Sequence, residues 1–325
     1  MRILVTGSAG HLGEALVRVL RADGHDVVSL DVLASPFTSV VGSVADRNVV
    51  RACLHGTDAV LHAATLHKPH VGSHPRAAFV ETNVTGTLTL LEEAVAAGVG
   101  RFVFTSTTSA FGRALTPPPG APAAWITEDV RPVPRNIYGA TKVAAEDLCE
   151  LVHRDHGLPV LVLRTSRFFP EPDDRDDVRA ACPDANLKVN ELLYRRVDLE
   201  DVVAAHRCAL EHASAIGFGR YIVTATTPFT RDDLAALRAD APAVVRRLYP
   251  GYEELFAAHG WRMFDSIERV YVNERARREL GWAPRWDFAD ALERLADGRG
   301  LRSALADAVG AKGYHAQSTG IYTTR

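Results

Sequence analysis

The sequence predicts an α/β protein, a doubly wound parallel sheet followed by a smaller C-terminal α/β lobe. Three observations carry this. Short apolar runs alternate with segments of helical periodicity through the first half of the chain. The first of these runs feeds a turn with three glycines that opens a helix, in "ILVTGSAGHLGEALVRVL", residues 3–20. The composition, 47% apolar and 24% charged over 325 residues, is that of an ordinary globular chain with room for one large domain and a small one.

In chain order, strands are expected at residues 3–5, 27–30, 59–62, 101–105 and 160–163, each a short apolar run. Helices are expected between them at 13–22, 48–54, 83–97 and 138–153; in the first, Ala15, Leu16, Val19 and Leu20 recur at helical steps. "TPPPGAPAAW", residues 116–125, reads as a proline-rich loop, and "FFPEPDDRDDVRAACPD", residues 168–184, as an irregular charged one. A helix near 199–211 and a strand at 220–224 follow, then helices at 231–238, 251–258, 273–280 and 288–295. No repeat of fixed period is present. The expected division is a nucleotide-binding domain at 1–165 and a smaller lobe mainly at 166–309, some of whose segments return to the first domain. Residues 310–325, without a clear period, read as a C-terminal tail.

Several classes are disfavoured. A net charge of −3 with no basic block leaves no electrostatic footprint for nucleic acid. No apolar run approaches membrane-spanning length, and Met1-Arg2 leads straight into the first strand, leaving no room for a signal peptide. Cys53, Cys149, Cys182 and Cys208 lie far apart without a CxxC pair, so neither a disulfide framework nor a zinc knuckle is expected, and a reducing cytoplasm is the default.

In a dinucleotide-binding fold the amides at a helix N-terminus hold the pyrophosphate, and glycines let it approach. Gly7 would make the turn, Gly10 would clear the phosphate and Gly13 would let the helix sit close, with Ala9, His11 and Leu12 in the same cradle. A plain strand–helix turn is the competing reading. Asp31 ends the second strand about twenty residues on, where an acid bonds both ribose hydroxyls and repels a 2′-phosphate, so NAD is favoured over NADP. Otherwise Asp31 caps the loop that follows.

Tyr138 and Lys142 stand four apart in a helical segment and point the same way. A phenol is a poor base at neutral pH, and a nearby ammonium is expected to lower its pKa toward the working range. A surface pair of no consequence is the alternative.

"TGSAGHLG" resembles the TGxxGxxG of the extended short-chain dehydrogenase/reductases, the NAD-dependent epimerase/dehydratase family. The resemblance continues through "LHAAT" (61–65), "NVTGTLTLLEEA" (83–94), "RFVFTSTTSAFG" (101–112), "YGATK" (138–142) and "LGWAPRWDFADAL" (280–292). It implies a Rossmann-type fold, NAD as cofactor, Tyr138 as general base or acid, and Lys142 reaching the nicotinamide ribose. Thr107 aligns with the catalytic Ser/Thr, with Thr105, Ser106 and Thr108 leaving the register open by one position. Asn83 corresponds to a structural asparagine, or else simply starts a helix. Ala63, Ala64 and Thr105 would line the cofactor. Where the family often has an acid to meet adenine, "VVGSVADRNVV" (40–50) has Ser43, so backbone at Ser43 and Val44 is expected there.

Family dehydratases carry an Asp-Glu pair directly after the catalytic threonine; Thr108 and Ser109 stand here, which disfavours dehydration. "RTSRFFPEP" (164–172) is similar to a stretch of uronate dehydrogenases. Arg167, Arg195 and Arg196 are candidates for a carboxylate or phosphate, or for surface ion pairs with Asp173, Asp174 or Glu200. His67, Lys68, Thr108, Ser109 and Phe168 complete the candidate substrate site; Phe111, Phe169 and Trp261 are candidate pocket walls or simple core. His67, His70 and His74 lack an accompanying acid or cysteine cluster, so no metal is expected. The implied activity is NAD-dependent hydride transfer at a hydroxyl or keto carbon of a small sugar-like substrate, a sugar acid being one candidate. A nucleotide-sugar epimerase and a non-catalytic NAD-binding sensor or scaffold are the alternatives. The family also implies a homodimer through the 83–97 and 138–153 helices, which Val95, Leu148 and Leu151 permit.

Overall fold

The first strand, β1 (Arg2–Thr6), is buried from Ile3 onward and ends at the glycine turn, where α1 (His11–Ala22) begins. This computed structural model describes residues 1–173 and 176–312. Next come β2 (Asp26–Asp31), the two-residue β3 (Val40–Val41), α2 (Arg47–Leu54) and β4 (Ala59–His62). Asp46 starts α2 by accepting the amides of Asn48 and Val49. α3 (Arg76–Val80) starts after Pro75 and continues through a π turn (Glu81–Thr85) into α4 (Gly86–Ala96). The helical path is therefore longer than the 83–97 expected. The polar π turn, Glu81-Thr82-Asn83, interrupts the apolar recurrence between α3 and α4, and Pro75 is tolerated where a helix begins.

β5 (Arg101–Thr107) and the short β6 (Ala124–Ile126) precede α5 (Ile137–His156). The Asn136 side chain caps α5 on the Gly139 amide, and Gly157 ends it at φ 70, a conformation that favours glycine. β7 (Val160–Thr165), α6 (Asp176–Ala181), α7 (Asp184–Leu192), α8 (Leu199–Ile216) and β8 (Phe218–Val223) follow. The chain closes with α9 (Leu234–Ala239), α10 (Ala241–Leu248), α11 (Tyr252–Ala258), β9 (Arg269–Tyr271), α12 (Glu274–Leu280), α13 (Phe288–Ala296) and α14 (Ala304–Val309).

Seven strands form one parallel sheet in the order β3-β2-β1-β4-β5-β7-β8. One face packs on α1, α8, α12 and α14 through residues such as Leu16, Val202, Trp282 and Val309. The other packs on α2, α4 and α5 through Val50, Leu90 and Cys149. This is the doubly wound arrangement expected. The strand order reverses between β1 and β4, which opens a crevice at the carboxyl ends of the strands. A separate apolar cluster gathers Leu193, Leu237, Val245, Phe256, Val270 and Phe288 beside a two-stranded sheet of β6 and β9.

Two loop expectations are corrected. Ala124 and Trp125, placed in the proline-rich loop, begin β6, whose partner pairs as Ala124 with Arg269. Pairing across such a sequence distance leaves no local pattern. The stretch 168–184 also contains α6 and the start of α7. α10 was not anticipated because Pro242 reads as a breaker, yet it sits in the first turn, where proline costs no bond. Of the expected tail, residues 313–325 lie outside the described residues. Among the described residues, no helix is long and apolar enough to cross a membrane.

Candidate active site

The glycine turn is built by close approach. Gly7 has φ +77, and a Cβ there would lie 2.7 Å from the Ala64 amide nitrogen. A Cβ on Gly13 would lie 1.9 Å from the Gly7 carbonyl oxygen, so the helix start rests on the turn itself rather than on the sheet. The N-cap of α1 is Gly10, which has no side chain to occupy the first-turn amides of His11, Leu12 and Gly13. Ala63 and Ala64 border the turn, and Ala64 donates its amide to Thr6 Oγ1 at 3.2 Å. Asp31 accepts the Ala9 amide at 2.9 Å and the Leu33 amide at 2.9 Å. Burial pushes its carboxyl above the ordinary value while these amides pull it back. An open helix N-terminus beside a carboxylate at the next strand end fits a dinucleotide: amides for the pyrophosphate, Asp31 for a ribose diol. At the other edge, Ser43 Oγ accepts the Ala45 amide and Val44 packs against Gly86.

Asn83 is saturated by the protein. Its Oδ1 accepts Leu66 N and Thr65 Oγ1, and its Nδ2 donates to Leu66 O and Thr141 Oγ1. It clamps the 65–66 backbone to α5, the structural of the two roles considered for it. A chain missed by sequence reading stands behind it. His62 Nδ1 lies 2.7 Å from Thr6 Oγ1 and Nε2 lies 3.0 Å from Thr87 Oγ1, which donates to the Asn83 carbonyl. Since Thr87 donates onward, it accepts from His62 Nε2–H, and Thr6 donates to Nδ1. Burial holds this imidazole neutral, with its pKa lowered to about 3.

At the end of β5 Tyr138 faces Thr107, the hydroxyl that draws its pKa down, and Thr107 Oγ1 accepts the Ser109 amide at 3.1 Å. Among the neighbouring hydroxyls of Thr105 to Thr108, Thr107 is the one that acts on the tyrosine. Lys142 is 2% exposed, donates to the Thr105 carbonyl at 2.6 Å, and lies 4.0 Å from the centre of the Phe104 ring. The Thr105 hydroxyl turns to the opposite face of the sheet, 2.8 Å from His206 Nε2. The electrostatic expectation is corrected. Burial pushes Tyr138 up to about 12, and the lowering influence on it is the Thr107 hydroxyl rather than Lys142. Burial also pulls Lys142 down to about 7. Desolvation dominates both groups.

The arginine expectation is corrected as well. Arg167, Arg195 and Arg196 converge on the fully buried Glu191 at 3.1, 2.6 and 2.8 Å, and Arg167 also reaches Asp173 at 2.6 Å. These are partly buried pairs around one interior carboxylate, not surface pairs. Glu200 instead accepts Trp286 Nε1, and Asp174 lies outside the described residues. The surrounding guanidiniums hold Glu191 far below the ordinary carboxylate range. A glutamate four residues before an arginine was legible as a helical pair, but not its burial.

Of the remaining candidates, Thr108 is buried with its hydroxyl 3.5 Å from the Thr165 carbonyl. His67 and His70 cap the 3-10 turn that begins at Lys68, and the His67 ring lies 5.4 Å from Phe169, next to Phe168. His11, 2.8 Å from the buried Glu171, ties α1 to that same loop. Phe111 and Trp261 are core: Phe111 stacks on Tyr271, and Trp261 packs edge-on to Phe256. Among the described residues, no group of three or more His, Cys, Asp or Glu side chains is placed to hold a metal ion.

Comparison with known proteins agrees with this architecture. The chain is 28% identical over 332 residues to UDP-glucose 4-epimerase from Rhizobium meliloti, covering 90% of this chain and 94% of that protein. It is 29% identical over 338 residues to dTDP-glucose 4,6-dehydratase from Streptomyces antibioticus, covering 91% and 92%. A short-chain dehydrogenase/reductase superfamily protein from Agrobacterium tumefaciens, crystallised with bound NAD, superposes with a TM-score of 0.65 at 27% identity, covering 91% of this chain and 96% of that one. Residues 3–223 match the family model for the NAD dependent epimerase/dehydratase family, and the chain belongs to that family.

Proposed function

We propose that the protein is an NAD-dependent oxidoreductase that transfers hydride at a hydroxyl or keto carbon of a small sugar-like substrate, with Tyr138 as general base or acid. The observation that carries this reading is the placing of Tyr138 against Thr107 at the carboxyl end of β5, with buried Lys142 one turn along the same helix. Residues 1–165 hold the cofactor, and residues 166–309 mainly shape the substrate end, with α8, β8, α12 and α14 returning to the sheet. The amides of Ala9 to Gly13 and the Asp31 carboxylate would hold NAD, with Ser43, Val44, Ala63 and Ala64 along the adenylate side. NAD bound there supplies the hydride acceptor.

Thr107 orients the substrate oxygen toward Tyr138 Oη, which as phenolate takes the hydroxyl proton in oxidation and as phenol donates it in reduction. Lys142, fixed by the Thr105 carbonyl, presents a cation to the cofactor side. His67, Lys68, Thr108, Ser109 and Phe168 border the substrate, and the outer edges of Arg167 and Arg195 offer positive charge to an acidic group. Dehydration is disfavoured because no carboxylate follows Thr107; Thr108 and Ser109 stand there.

A second reading, a nucleotide-sugar epimerase with tightly bound NAD, is supported by the epimerase relative that spans most of the chain. Incubation with NAD and candidate sugars separates the two. Net NADH formation supports the dehydrogenase, and isomerised sugar without NADH supports the epimerase.

A further inference from the structure

The stripe of α5 that carries Tyr138 and Lys142 continues one turn further to Glu146, at i, i+4 and i+8. Each of the three meets one of three consecutive residues at the end of β5. Lys142 donates to the Thr105 carbonyl, Glu146 accepts from the Ser106 hydroxyl, and Tyr138 faces the Thr107 hydroxyl. Glu146 is 1% exposed and cannot hold its charge by hydration. Arg164, 3% exposed, supplies the partner: it bonds Glu146 Oε2 through Nη2 at 2.7 Å and through Nε at 3.1 Å. Arg164 is itself fixed by donating to the Glu128 carbonyl at 3.1 Å and by lying over the Phe111 ring. In the sheet it stands directly opposite Ser106, so the guanidinium, the carboxylate and the hydroxyl close a bridge from β7 through α5 to β5.

The buried Lys142 has no carboxylate within ion-pair distance among the described residues, because its bonding partner is a backbone carbonyl. Glu146, one turn away, is the leading influence that favours its charged form. The other titratable and charged groups packed around the two are His62 from β4, Tyr138 and Cys149 from α5, Arg164 from β7, Arg220 from β8, and Glu128 before α5. His62 is neutral, and Arg164 and Arg220 (Nε 3.4 Å from Glu146 Oε2) both face Glu146, so the carboxylate that acts on Lys142 is shared between two guanidiniums and the ammonium.

We propose that Glu146, clamped by Arg164 and Ser106, is a positioning residue: it supplies the counter-charge for the buried Lys142 ammonium and locks residues 105–107 in register with Tyr138. This goes beyond the Tyr138–Lys142 pair, and it rests on the reading of those two as the reacting pair.

The test reads Lys142 directly. The chain has four lysines, Lys68, Lys142, Lys188 and Lys312, so isotope-labelled lysine gives few signals, and Lys142→Met identifies the one required. In cofactor-free protein, Glu146→Gln is expected to move the Lys142 titration midpoint down by about one pH unit, a tenfold change in its proton affinity. Glu146→Asp should recover part of the shift. If Glu146→Gln fails to fold because Arg164 is stranded, the pair Glu146→Leu with Arg164→Met removes both buried charges at similar volume. The midpoint stays low in that pair if Glu146 is the counter-charge. A Lys142 midpoint unchanged within a few tenths of a unit in these variants overturns the proposal. Failure of the catalytic reading is seen separately, as turnover that survives Tyr138→Phe.

Discussion

Asp31 accepts the Ala9 amide at 2.9 Å, which fastens the tip of the glycine turn to the end of the second strand. The carboxylate thus shapes the glycine turn proposed to cradle the pyrophosphate, at the same place where it would meet a ribose. Replacing Asp31 by Ala should weaken NAD binding by roughly 10- to 100-fold, the loss of about 1.5–3 kcal/mol of charge-assisted hydrogen bonding. NADP should lose less, since its 2′-phosphate no longer meets a negative charge. Calorimetric titration of both cofactors measures this; equal losses would separate Asp31 from cofactor choice.

Tyr138→Phe keeps the ring but removes the proton carrier. Turnover should fall by about 10²–10⁴-fold while the NAD dissociation constant stays within a factor of about three. Thr107→Val should lower turnover as well, because the phenol loses the neighbouring hydroxyl that opposes its desolvation. Single-turnover absorbance of reduced nicotinamide, with a substrate found by screening, is the measurement.

His206 is fully buried, with Nδ1 2.8 Å from the Val202 carbonyl. A carbonyl only accepts, so Nδ1 carries the proton and Nε2 accepts the Thr105 hydroxyl. Burial lowers the imidazole pKa from 6.5 to about 4. Between those values the unfolded chain binds more protons than the folded one, so this group makes stability rise with pH across that window. The slope is at most about 1.4 kcal/mol per pH unit. His62 contributes with the same sign, while Asp201, raised to about 7 by burial, contributes with the opposite sign. His206→Gln should flatten the profile by its own share. Urea unfolding between pH 4.5 and 6.5 compares the slopes, and identical slopes would mean that the ring takes up its proton at the same pH in the folded and unfolded chains.

Glu191→Gln leaves three guanidiniums around an uncharged amide. The loss should be about 3–5 kcal/mol, seen as a melting temperature lower by several degrees. Arg195→Ala should cost far less, because Arg167 and Arg196 still neutralise the carboxylate. Differential scanning calorimetry ranks the two; a milder effect from Glu191→Gln would contradict the placement of that carboxylate at the centre.

The sheet and the glycine turn were legible because their signals are local: Ile3 to Val5, then Gly7, Gly10 and Gly13, then an apolar recurrence over one helix. Tyr138 and Lys142 were legible for the same reason, since a spacing of four places both on one face. What escaped is tertiary. Arg167 and Glu191 are joined only when the segment after β7 folds back onto α7, so the charge run read as surface. The sign of the tyrosine shift was missed because burial, which no spacing reveals, outweighs a neighbouring cation. β6 was missed because its partner strand lies in another part of the chain.

Lys312 brings the end of the described chain back to its beginning: its amide donates to Glu171 at 3.1 Å, and its ammonium meets Glu14 on α1. Removing residues from 310 onward therefore takes an ammonium away from Glu14 and an amide donor away from Glu171, two interior carboxylates beside the helix that follows the glycine turn. Trimming, or fusing an affinity label close to this position, acts on the glycine-turn end of the molecule rather than on a remote appendage. An amino-terminal label avoids that disturbance.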